Sequence, residues 1–388
     1  MYFNTFGRRG RRTSVGLSAT ALVAAALALG ACGSSSDDSS SATASAGSKT
    51  TASTSGGGQP SWCGGKSITL GIQDGGGLNA WSAASLAEVK KEVALCPAIK
   101  KTIVVNAGFD PQKGTSGIQS MIAQGANAIV IIPDSGVCAE LPSLRQATQR
   151  GIKVATWGAS ACGKPGKDYL SYSDWDPEAQ AKLQAEWLIK QMGDKGNILF
   201  LGGPAGNLVD QGSVKGLLET VKQHPNVKIL DNVSAKSWPV TNWDPAQAQK
   251  VAASLLAKYP KVDGLFDAYG ASVQGEIKAF KNANRKIPPI ATVQLNSLSC
   301  AYDKAKGTSG AFALSTVSNR NWIGRLAVRR AVAAVNGITL NQKDIVALPL
   351  LEDSSNSAME PKCYADKGPD YDPSNDQTDA QIDKLVAG

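Results

Sequence analysis

Polar and aromatic residues follow several predicted β-strands, at the point where each strand ends. Asp, Asn and Gln side chains can hold a small molecule by hydrogen bonds, and Trp and Tyr faces can cover its apolar C–H surface. No Arg or Lys clamp of the kind that a phosphate or carboxylate prefers stands among them. They therefore indicate a site for a neutral, hydroxylated ligand, with candidate residues Gln73, Asp74, Asn79, Trp81, Asp134, Trp157, Asp210, Tyr269 and Gln294.

Three of these positions also have a purely structural explanation. Trp81 fits a core residue at the start of a helix, and Trp157 fits a core residue after a strand. Asp210 fits an exposed residue in a helix that Asn207 caps. The glycine-rich run at 75–77 precedes a helix, as in phosphate-binding turns, but it has neither Gly-Lys-Ser/Thr nor GxGxxG. A phosphate site is therefore not predicted.

The segment 101–135 indicates the architecture that must position these residues. Its runs at 103–105 and 128–132 are continuous rather than alternating, as expected of parallel strands buried on both faces. A helix-length segment with apolar residues lies between the two runs. Strand, helix and strand in this order form a βαβ unit with a right-handed crossover.

The same alternation repeats along the chain and predicts two α/β lobes. About 325 residues follow the N-terminal segments, which is more than one core usually holds. Strands are predicted at 68–73, 103–106, 128–132, 153–156 and 169–172, and then at 197–201, 228–233, 264–268, 289–293, 311–316 and 345–350. Helices are predicted at 81–95, 117–124, 141–150, 177–192, 208–223, 245–259, 272–282, 300–306 and 322–336. Residues 353–388 are predicted to be an irregular tail.

The N-terminus has the pattern of an export signal. Four arginines precede the apolar run at 19–31, which is too short for a comfortable membrane span. Small residues before Cys32 resemble a bacterial lipobox, so 1–31 is predicted to be a lipoprotein signal peptide and Cys32 the lipidated residue. The twin-arginine route is less favoured than ordinary secretion. Residues 32–61 then form a flexible Ser/Gly tether, because they cannot bury enough apolar surface to order themselves.

The charge distribution disfavours nucleic-acid binding. The chain has 40 basic and 32 acidic residues, and removal of the signal leaves 36 basic against 32 acidic residues, a net charge of +4. These charges are interspersed, without a basic block or an aromatic-basic stripe.

The seven cysteines are consistent with lipidation and disulfide formation. With Cys32 lipidated, six remain. Two of them lie at one end of the first predicted sheet, two follow strands at its opposite end, and two are left for each other. The predicted pairs are Cys63–Cys96, Cys138–Cys162 and Cys300–Cys363. No CxxC or Cys/His spacing indicates zinc.

Catalysis is not expected, and no cofactor is predicted. The single histidine, His224, lies in a predicted helix-to-strand loop at the end opposite the candidate site. A GxSxG elbow and paired carboxylates at an informative spacing are absent from the sequence.

The chain resembles the type I periplasmic binding proteins, the ribose- and galactose-binding group. The resemblance covers about 66–350, and its most specific pieces are 118–125 (IQSMIAQG) leading to 128–133 (AIVIIP), and 259–266 (YPKVDGLF). It implies two doubly wound parallel-sheet lobes joined by a three-strand hinge, with crossings near Asp174, Ser318 and Ala347. The expected lobes are 66–173 plus 319–346, and 174–318 plus 347–388.

The resemblance also implies roles for several candidates. Asn79 and Trp81 stand where a polar and an aromatic residue meet the sugar, and Trp243 stands where an aromatic residue stacks on it. Other positions depart from the pattern. Residues 158–159 lack the usual Asp-Arg pair, no arginine lies near 213, 267–268 (Asp-Ala, before Tyr269) replaces a common Asn-Asp, and Gln294 replaces a common Asp. These departures put a simple aldopentose or aldohexose ligand in doubt.

The function that the resemblance implies is that of an extracytoplasmic solute-binding lipoprotein. It would capture a sugar or polyol by hinge closure and deliver it to an ABC permease in the cytoplasmic membrane, as a monomer anchored to that membrane's outer face. A receptor lipoprotein that presents its ligand to a membrane signalling partner is an open alternative, because both use lobe surfaces. The family's transcriptional regulators are excluded, because the anchor and tether occupy the place of their DNA-binding headpiece.

Overall fold

The computed structural model describes residues 58–76, 79–136 and 138–387. The predicted signal at 1–31, the predicted lipidation residue Cys32 and nearly all of the predicted tether lie outside the described residues. Within the described ranges, no helix is long and apolar enough to cross a membrane.

The first lobe is a six-stranded, all-parallel sheet with helices on both faces. Its strands are β1 (Ile68–Asp74), β2 (Ile99–Asn106), β3 (Ala128–Ile132), β4 (Lys153–Trp157), β5 (Ser171–Trp175) and β11 (Ile345–Val346), and its helices are α1 (Ala80–Ala94), α2 (Pro111–Ala123), α3 (Leu141–Gln149) and α9 (Ile323–Asn336). The strands lie in the order β11-β5-β4-β3-β1-β2.

The second lobe repeats this design and adds one antiparallel edge strand. Its strands are β6 (Gly196–Leu201), β7 (Val227–Ile229), β8 (Gly264–Asp267), β9 (Ile290–Val293), β10 (Leu314–Val317) and β12 (Leu350–Asp353), and its helices are α4 (Pro177–Gln191), α5 (Leu208–Val221), α6 (Pro245–Lys258), α7 (Gly270–Asn282) and α8 (Asn296–Ala305). The order is β12-β10-β9-β8-β6-β7. The predicted fold class, two doubly wound lobes, is confirmed.

Strand β3 shows why a continuous apolar run is needed in this fold. Val130 packs with the layer that contains α1 and α9, whereas Ile129 and Ile131 pack with α2 and α3, so every residue of β3 is buried. The corresponding prediction for β2 is wrong. Strand β2 is at the edge of the sheet, and Val104 is 46% exposed there.

Three Asp-Pro pairs begin helices. Asp110, Asp176 and Asp244 each accept hydrogen bonds from backbone N–H groups in the first turn, and the proline that follows has no N–H to leave unpaired. The predicted start of α2 at residue 117 was therefore too late. The Asp110-Pro111 signal places it at Pro111.

The chain crosses between the two sheets three times, and we call these three segments the hinge. The crossings are Asp176 between β5 and α4, residues 318–322 between β10 and α9, and residues 347–349 between β11 and β12. The single strand predicted at 345–350 is therefore two strands in different sheets. Its middle contains Pro349, which has no N–H to donate to a sheet.

Three disulfides join the cysteines in the predicted pairs. Cys63–Cys96 closes the end of the first lobe near the N-terminus, and Cys138–Cys162 links the segments that follow β3 and β4. Cys300–Cys363 ties the C-terminal tail to α8.

The C-terminal tail differs from its prediction in structure and in position. It was expected to be irregular and to belong to the second lobe, but it ends in a helix, α10 (Asp379–Val386), that packs on the first lobe. Ile382 and Val386 are one turn apart and are buried against Trp175 and Trp322. The physical reason is that apolar residues spaced one helical turn apart form a stripe on one face of the helix, and such a stripe requires a partner surface.

Candidate functional site

A cleft of about 360 Å³ lies between the lobes, which is within the range of small-molecule sites. Its first-lobe wall comes from segments that follow β1, β2, β3 and β4, and its second-lobe wall from segments that follow β6 and β8 and the loop before α6. Because the strands are parallel, these segments meet at the carboxyl edge of each sheet.

Five of the predicted residues line this cleft, namely Asn79, Trp81, Asp134, Trp243 and Tyr269. Trp81 belongs to the first lobe, and its indole N–H donates to the backbone oxygen of Asn319 in the hinge at 2.7 Å. Trp243 and Tyr269 belong to the second lobe, and their ring centroids are 6.2 Å apart. The cleft therefore has aromatic surfaces on both sides.

The loop before α6 holds Trp243 in an uncommon backbone conformation. Asn242 and Trp243 have φ angles of 53° and 56°, in the left-handed region that few non-glycine residues adopt. The hydroxyl of Thr241 anchors the loop by donating to the oxygen of Gly202 at 2.8 Å. The indole lies so close to Gly203 that an added Cβ would be 2.1 Å from the ring. This position therefore requires glycine at residue 203.

Three predicted residues of the first lobe do not line the cleft. Gln73 is inside the sheet and faces α2, where its Oε1 would be 2.6 Å from a Cβ on Gly117. Asp74 is buried and accepts from the N–H of Gly76. Trp157 is a core residue, 3% exposed, that packs beside Trp81 at 6.0 Å. The side chains of a strand point to one face of the sheet or the other and not towards its carboxyl edge. Each of these three side chains therefore packs inside its own lobe.

Two predicted residues of the second lobe are also beneath the cleft surface. Asp210 is fully buried, so the expectation of an exposed Asp210 is wrong as well. Its carboxylate accepts from the N–H of Gly203 and from the side chain of Asn207, both at 2.7 Å. Gln294 is fully buried at the end of β9 and forms no side-chain hydrogen bond within the described ranges.

The sequence reasoning missed Arg320, which lines the cleft together with Tyr172 and Asp174. The list of candidates, which supplied no Arg or Lys clamp, therefore lacked a basic residue that lines the cleft. Arg320 follows the carboxyl end of β10 by three residues, so the strand-end rule that found the other candidates also applies to it. The sequence analysis assigns the segment around Ser318 to a hinge crossing and to no binding role.

Burial governs the protonation of the acids at the cleft. Burial and, to a smaller extent, the nearby Glu140 and Asp74 together raise the pKa of Asp134 to about 7. Burial also raises the pKa of Asp174 to about 7, although the Tyr172 hydroxyl donates to it and Arg320 is near, and both oppose the rise. Each acid therefore carries a partial negative charge at neutral pH.

The described residues include no cluster of three or more His, Cys, Asp or Glu side chains that could hold a metal ion. His224 is in the loop after α5 and contacts Asp194 and Glu186. It does not line the cleft.

Fold and cleft together define a two-lobed binding protein for a small molecule. The chain belongs to the periplasmic binding protein domain family, whose model matches residues 77–339.

Individual relatives show how far the similarity extends. The chain is 26% identical over 191 residues to the D-apiose import binding protein of Paraburkholderia graminis, covering 47% of this chain and 56% of the relative. It is 30% identical over 171 residues to the galactofuranose-binding protein of Escherichia coli, covering 43% and 52%. The matches thus span about half the length of these two curated relatives. An ABC transporter solute-binding protein from Mycobacterium smegmatis, solved with bound glycerol, has a TM-score of 0.64 at 21% identity, covering 78% of this chain and all of that one.

Asp134→Asn is expected to raise the melting temperature at about pH 8. The fold opposes ionisation of Asp134, because its pKa rises from 3.8 to about 7 on folding. The wild type therefore loses stability as the pH rises from about 4 to about 7, and above about pH 7 the loss is complete. The difference in melting temperature between Asp134→Asn and the wild type should therefore shrink as the pH falls towards about 5. Thermal unfolding across this range measures it.

The matched control is Asp366→Asn, because Asp366 is an exposed carboxylate of the tail that does not line the cleft. A control that gains as much as Asp134→Asn, or a gain that does not change with pH, would contradict the assignment.

Proposed function

We propose that this protein is the extracytoplasmic solute-binding component of an ABC importer and that it captures a sugar or a related polyol. The observation that carries the proposal is the composition of the cleft. Trp81 faces it from one lobe, Trp243 and Tyr269 face it from the other, and Asn79 and Asp134 stand beside them. Aromatic faces cover the C–H patches of a sugar, while amide and carboxylate groups fix its hydroxyls.

Family membership and the relatives support this choice of function. The family consists of binding proteins, and two relatives are named for apiose import and for galactofuranose binding. The chain itself is proposed to have no catalytic activity. Its ligand specificity follows from polar groups that a wrong ligand would leave unpaired.

Capture is proposed to occur by closure of the hinge. Three short crossings connect lobes that carry separate hydrophobic cores, so rotation at the crossings leaves the cores intact. A ligand held by Trp81 on one side and Trp243 on the other favours the closed arrangement, because only that arrangement allows both contacts. The closed lobes then form the surface that the permease reads.

The N-terminal sequence supports a location outside the cytoplasmic membrane. We include in the proposal that 1–31 is removed as an export signal and that Cys32 carries the lipid. Residues 32–61 then tether a monomeric binding domain to the outer face of that membrane. An oxidising compartment also suits the three disulfides.

The ligand class is tested by thermal unfolding of the oxidised protein with monosaccharides, polyols, amino acids and nucleosides. A sugar or polyol should raise the melting temperature in proportion to the logarithm of its concentration above the dissociation constant, because it binds only the native state. Stabilisation by amino acids or nucleosides alone would overturn the sugar assignment.

Trp243→Ala is expected to weaken binding of the sugar or polyol found in that panel by at least about tenfold, because it removes one stacking face. Isothermal titration calorimetry measures the affinity. Trp243→Phe keeps an aromatic face and should retain most of it. The melting temperature of the ligand-free Ala variant should stay close to that of the wild type, because Trp243 is only partly buried in its loop. Unchanged affinity would remove Trp243 from the site.

A further inference from the structure

Arg320 is a buried cation without a polar side-chain partner. Its side chain is 8% exposed, and its guanidinium carbon lies 3.6 Å from the ring centroid of Trp175 and 5.9 Å from that of Trp81. Within the described residues, the guanidinium forms neither a hydrogen bond nor an ion pair. A desolvated charge of this kind is costly unless hydrogen-bond partners are supplied.

The contrast with two other buried arginines shows what is missing. Arg325 and Arg329 are buried as well, and each pairs with Glu92 and with an acid of α10. The chain therefore satisfies buried arginines when they serve the structure. Arg320 differs from both because it lines the cleft.

The backbone of Arg320 points to the same conclusion. Its φ of 68° is in the left-handed region, which is uncommon for a residue with a side chain and typical of functional positions. The N–H of Arg320 donates to the hydroxyl of Ser318 at 3.0 Å and so fixes this turn. The turn belongs to the crossing between β10 and α9, so the guanidinium is fixed in the hinge rather than on one lobe.

We propose, on the basis of the sugar-binding function proposed above, that Arg320 donates hydrogen bonds to ligand hydroxyl groups, while Asp134 and Asp174, which line the same cleft, make it select neutral polyhydroxylated ligands over the corresponding sugar acids. A guanidinium is only a donor, and an ionised carboxylate is only an acceptor. A hydroxyl group both accepts and donates, so adjacent hydroxyls can satisfy Arg320 together with Asp134 or Asp174, which line the same cleft. A ligand carboxylate satisfies only the arginine and adds a negative charge beside the two aspartates.

The test compares neutral and acidic probes on four forms of the protein. The probes are xylitol, D-xylose and D-galactose, with D-xylonate and D-galacturonate as acidic counterparts, and calorimetry measures each affinity. The wild type should bind at least one neutral probe more tightly than its acid. Arg320→Gln should weaken that binding by at least about tenfold, because it removes the charge-assisted donors. Arg145→Gln removes an arginine that pairs with Asp168 outside the cleft and should leave the affinity unchanged.

Arg320→Lys keeps the charge without the planar fork and should fall between the wild type and the Gln variant. Equal affinity of the wild type and Arg320→Gln for a neutral probe would overturn the role of Arg320 and leave the sugar-binding function standing. Tighter binding of an acid than of its neutral counterpart would overturn the proposed selectivity. No binding of any probe by the wild type would count against both proposals.

An independent set of contacts concerns residues 354–387, which we call the strap. At the second lobe, Cys363 is joined to Cys300 of α8, and the side chain of Asn296 bonds the backbone of Tyr364 and Gly368. The backbone N–H groups of Ser297 and Asn296 also donate to the oxygens of Pro369 and Tyr371, so the strap leaves the second lobe after Tyr371.

The middle of the strap contacts the hinge. Asp372 is buried and accepts from the N–H of Asn319 at 2.8 Å, and the hydroxyls of Ser374 and Ser318 are 2.7 Å apart. These partners are in the crossing that also contains Arg320.

At the first lobe, the strap ends in α10, which is held by charge as well as by apolar burial. Arg329 bonds Asp379 and Asp383 at 2.7 Å each, while its Nε donates to the fully buried Glu92 of α1 at 2.6 Å. Charge-assisted bonds of this kind are strong, so both ends of the strap are anchored.

We infer that the strap is a fourth connection between the lobes and that it restricts opening of the ligand-free cleft. The three hinge crossings are short, and the strap adds a covalently continuous link fixed to both lobes and to the hinge itself. Rotation of the lobes must therefore shift its contacts with Ser318 and Asn319. The strap is also outside the part of the chain that the family model matches, which ends at residue 339.

The test cuts the strap without removing either anchor. A protease recognition site inserted between Asp376 and Gln377, after the contacts with the second lobe and the hinge and before α10, is cleaved in the folded protein, and small-angle scattering compares the intact and cleaved forms. The ligand-free radius of gyration should rise on cleavage. The control is the same insertion between Gly307 and Thr308, an exposed loop within the second lobe, where cleavage should leave it unchanged.

Superimposable ligand-free curves before and after cleavage of the strap would overturn the inference, provided that the melting temperature shows a folded protein. If the inserted site is not tolerated, Cys300→Ser/Cys363→Ser releases the anchor on the second lobe, with Cys63→Ser/Cys96→Ser as the control within the first lobe. A rise in the ligand-free radius of gyration only in Cys300→Ser/Cys363→Ser supports the inference, and equal radii of gyration in the two double variants contradict it.

Discussion

The constraint on which this structure depends is that parallel strands all end at the same edge of their sheet. In each lobe, a strand ends, a short segment follows and a helix returns along the face, so the ends of β1, β3 and β4 and those of β6 and β8 converge. Two such edges face each other across the cleft. The residues of the site are far apart in sequence and share only this position at the end of a strand.

The same constraint explains why the hinge is part of the site. The chain must leave one sheet and enter the other at these edges, so the crossing segments run beside the cleft. Asp174, Trp175 and Arg320 line it from positions on or next to crossings, and Trp81 bonds the backbone of Asn319. A ligand in the cleft would therefore lie beside the segments at which the proposed closure takes place.

Buried charge is treated in two different ways within twelve residues of the chain. Around Arg325 and Arg329, acids from α1 and α10 satisfy each guanidinium and join three helices, two of which are distant in sequence. Around Arg320, aromatic rings are the close contacts, and among the described residues the guanidinium donors have no hydrogen-bond partner. The first arrangement stabilises the lobe and its strap, and the second leaves binding capacity in the cleft.

The sequence by itself determined the fold class, the number of lobes and most of the helices and strands, because these follow from local periodicity and caps. The five apolar residues of β3 and the Asp-Pro pair before α6 are readable without any partner. It also pointed to Asn79, Trp81, Asp134 and Tyr269, because following the end of a strand is a local property, whereas the resemblance to the binding-protein family pointed to Trp243.

Only the tertiary structure decided which strand-end residues face the cleft. Gln73, Trp157 and Gln294 satisfy the same sequence rule, yet the side on which each packs depends on helices and strands far along the chain. The edge position of β2, the docking of α10 on the first lobe and the place of Arg320 are likewise set by long-range neighbours. Periodicity is a property of one segment, whereas the burial of its side chains and the pairing of its strands depend on residues elsewhere in the chain.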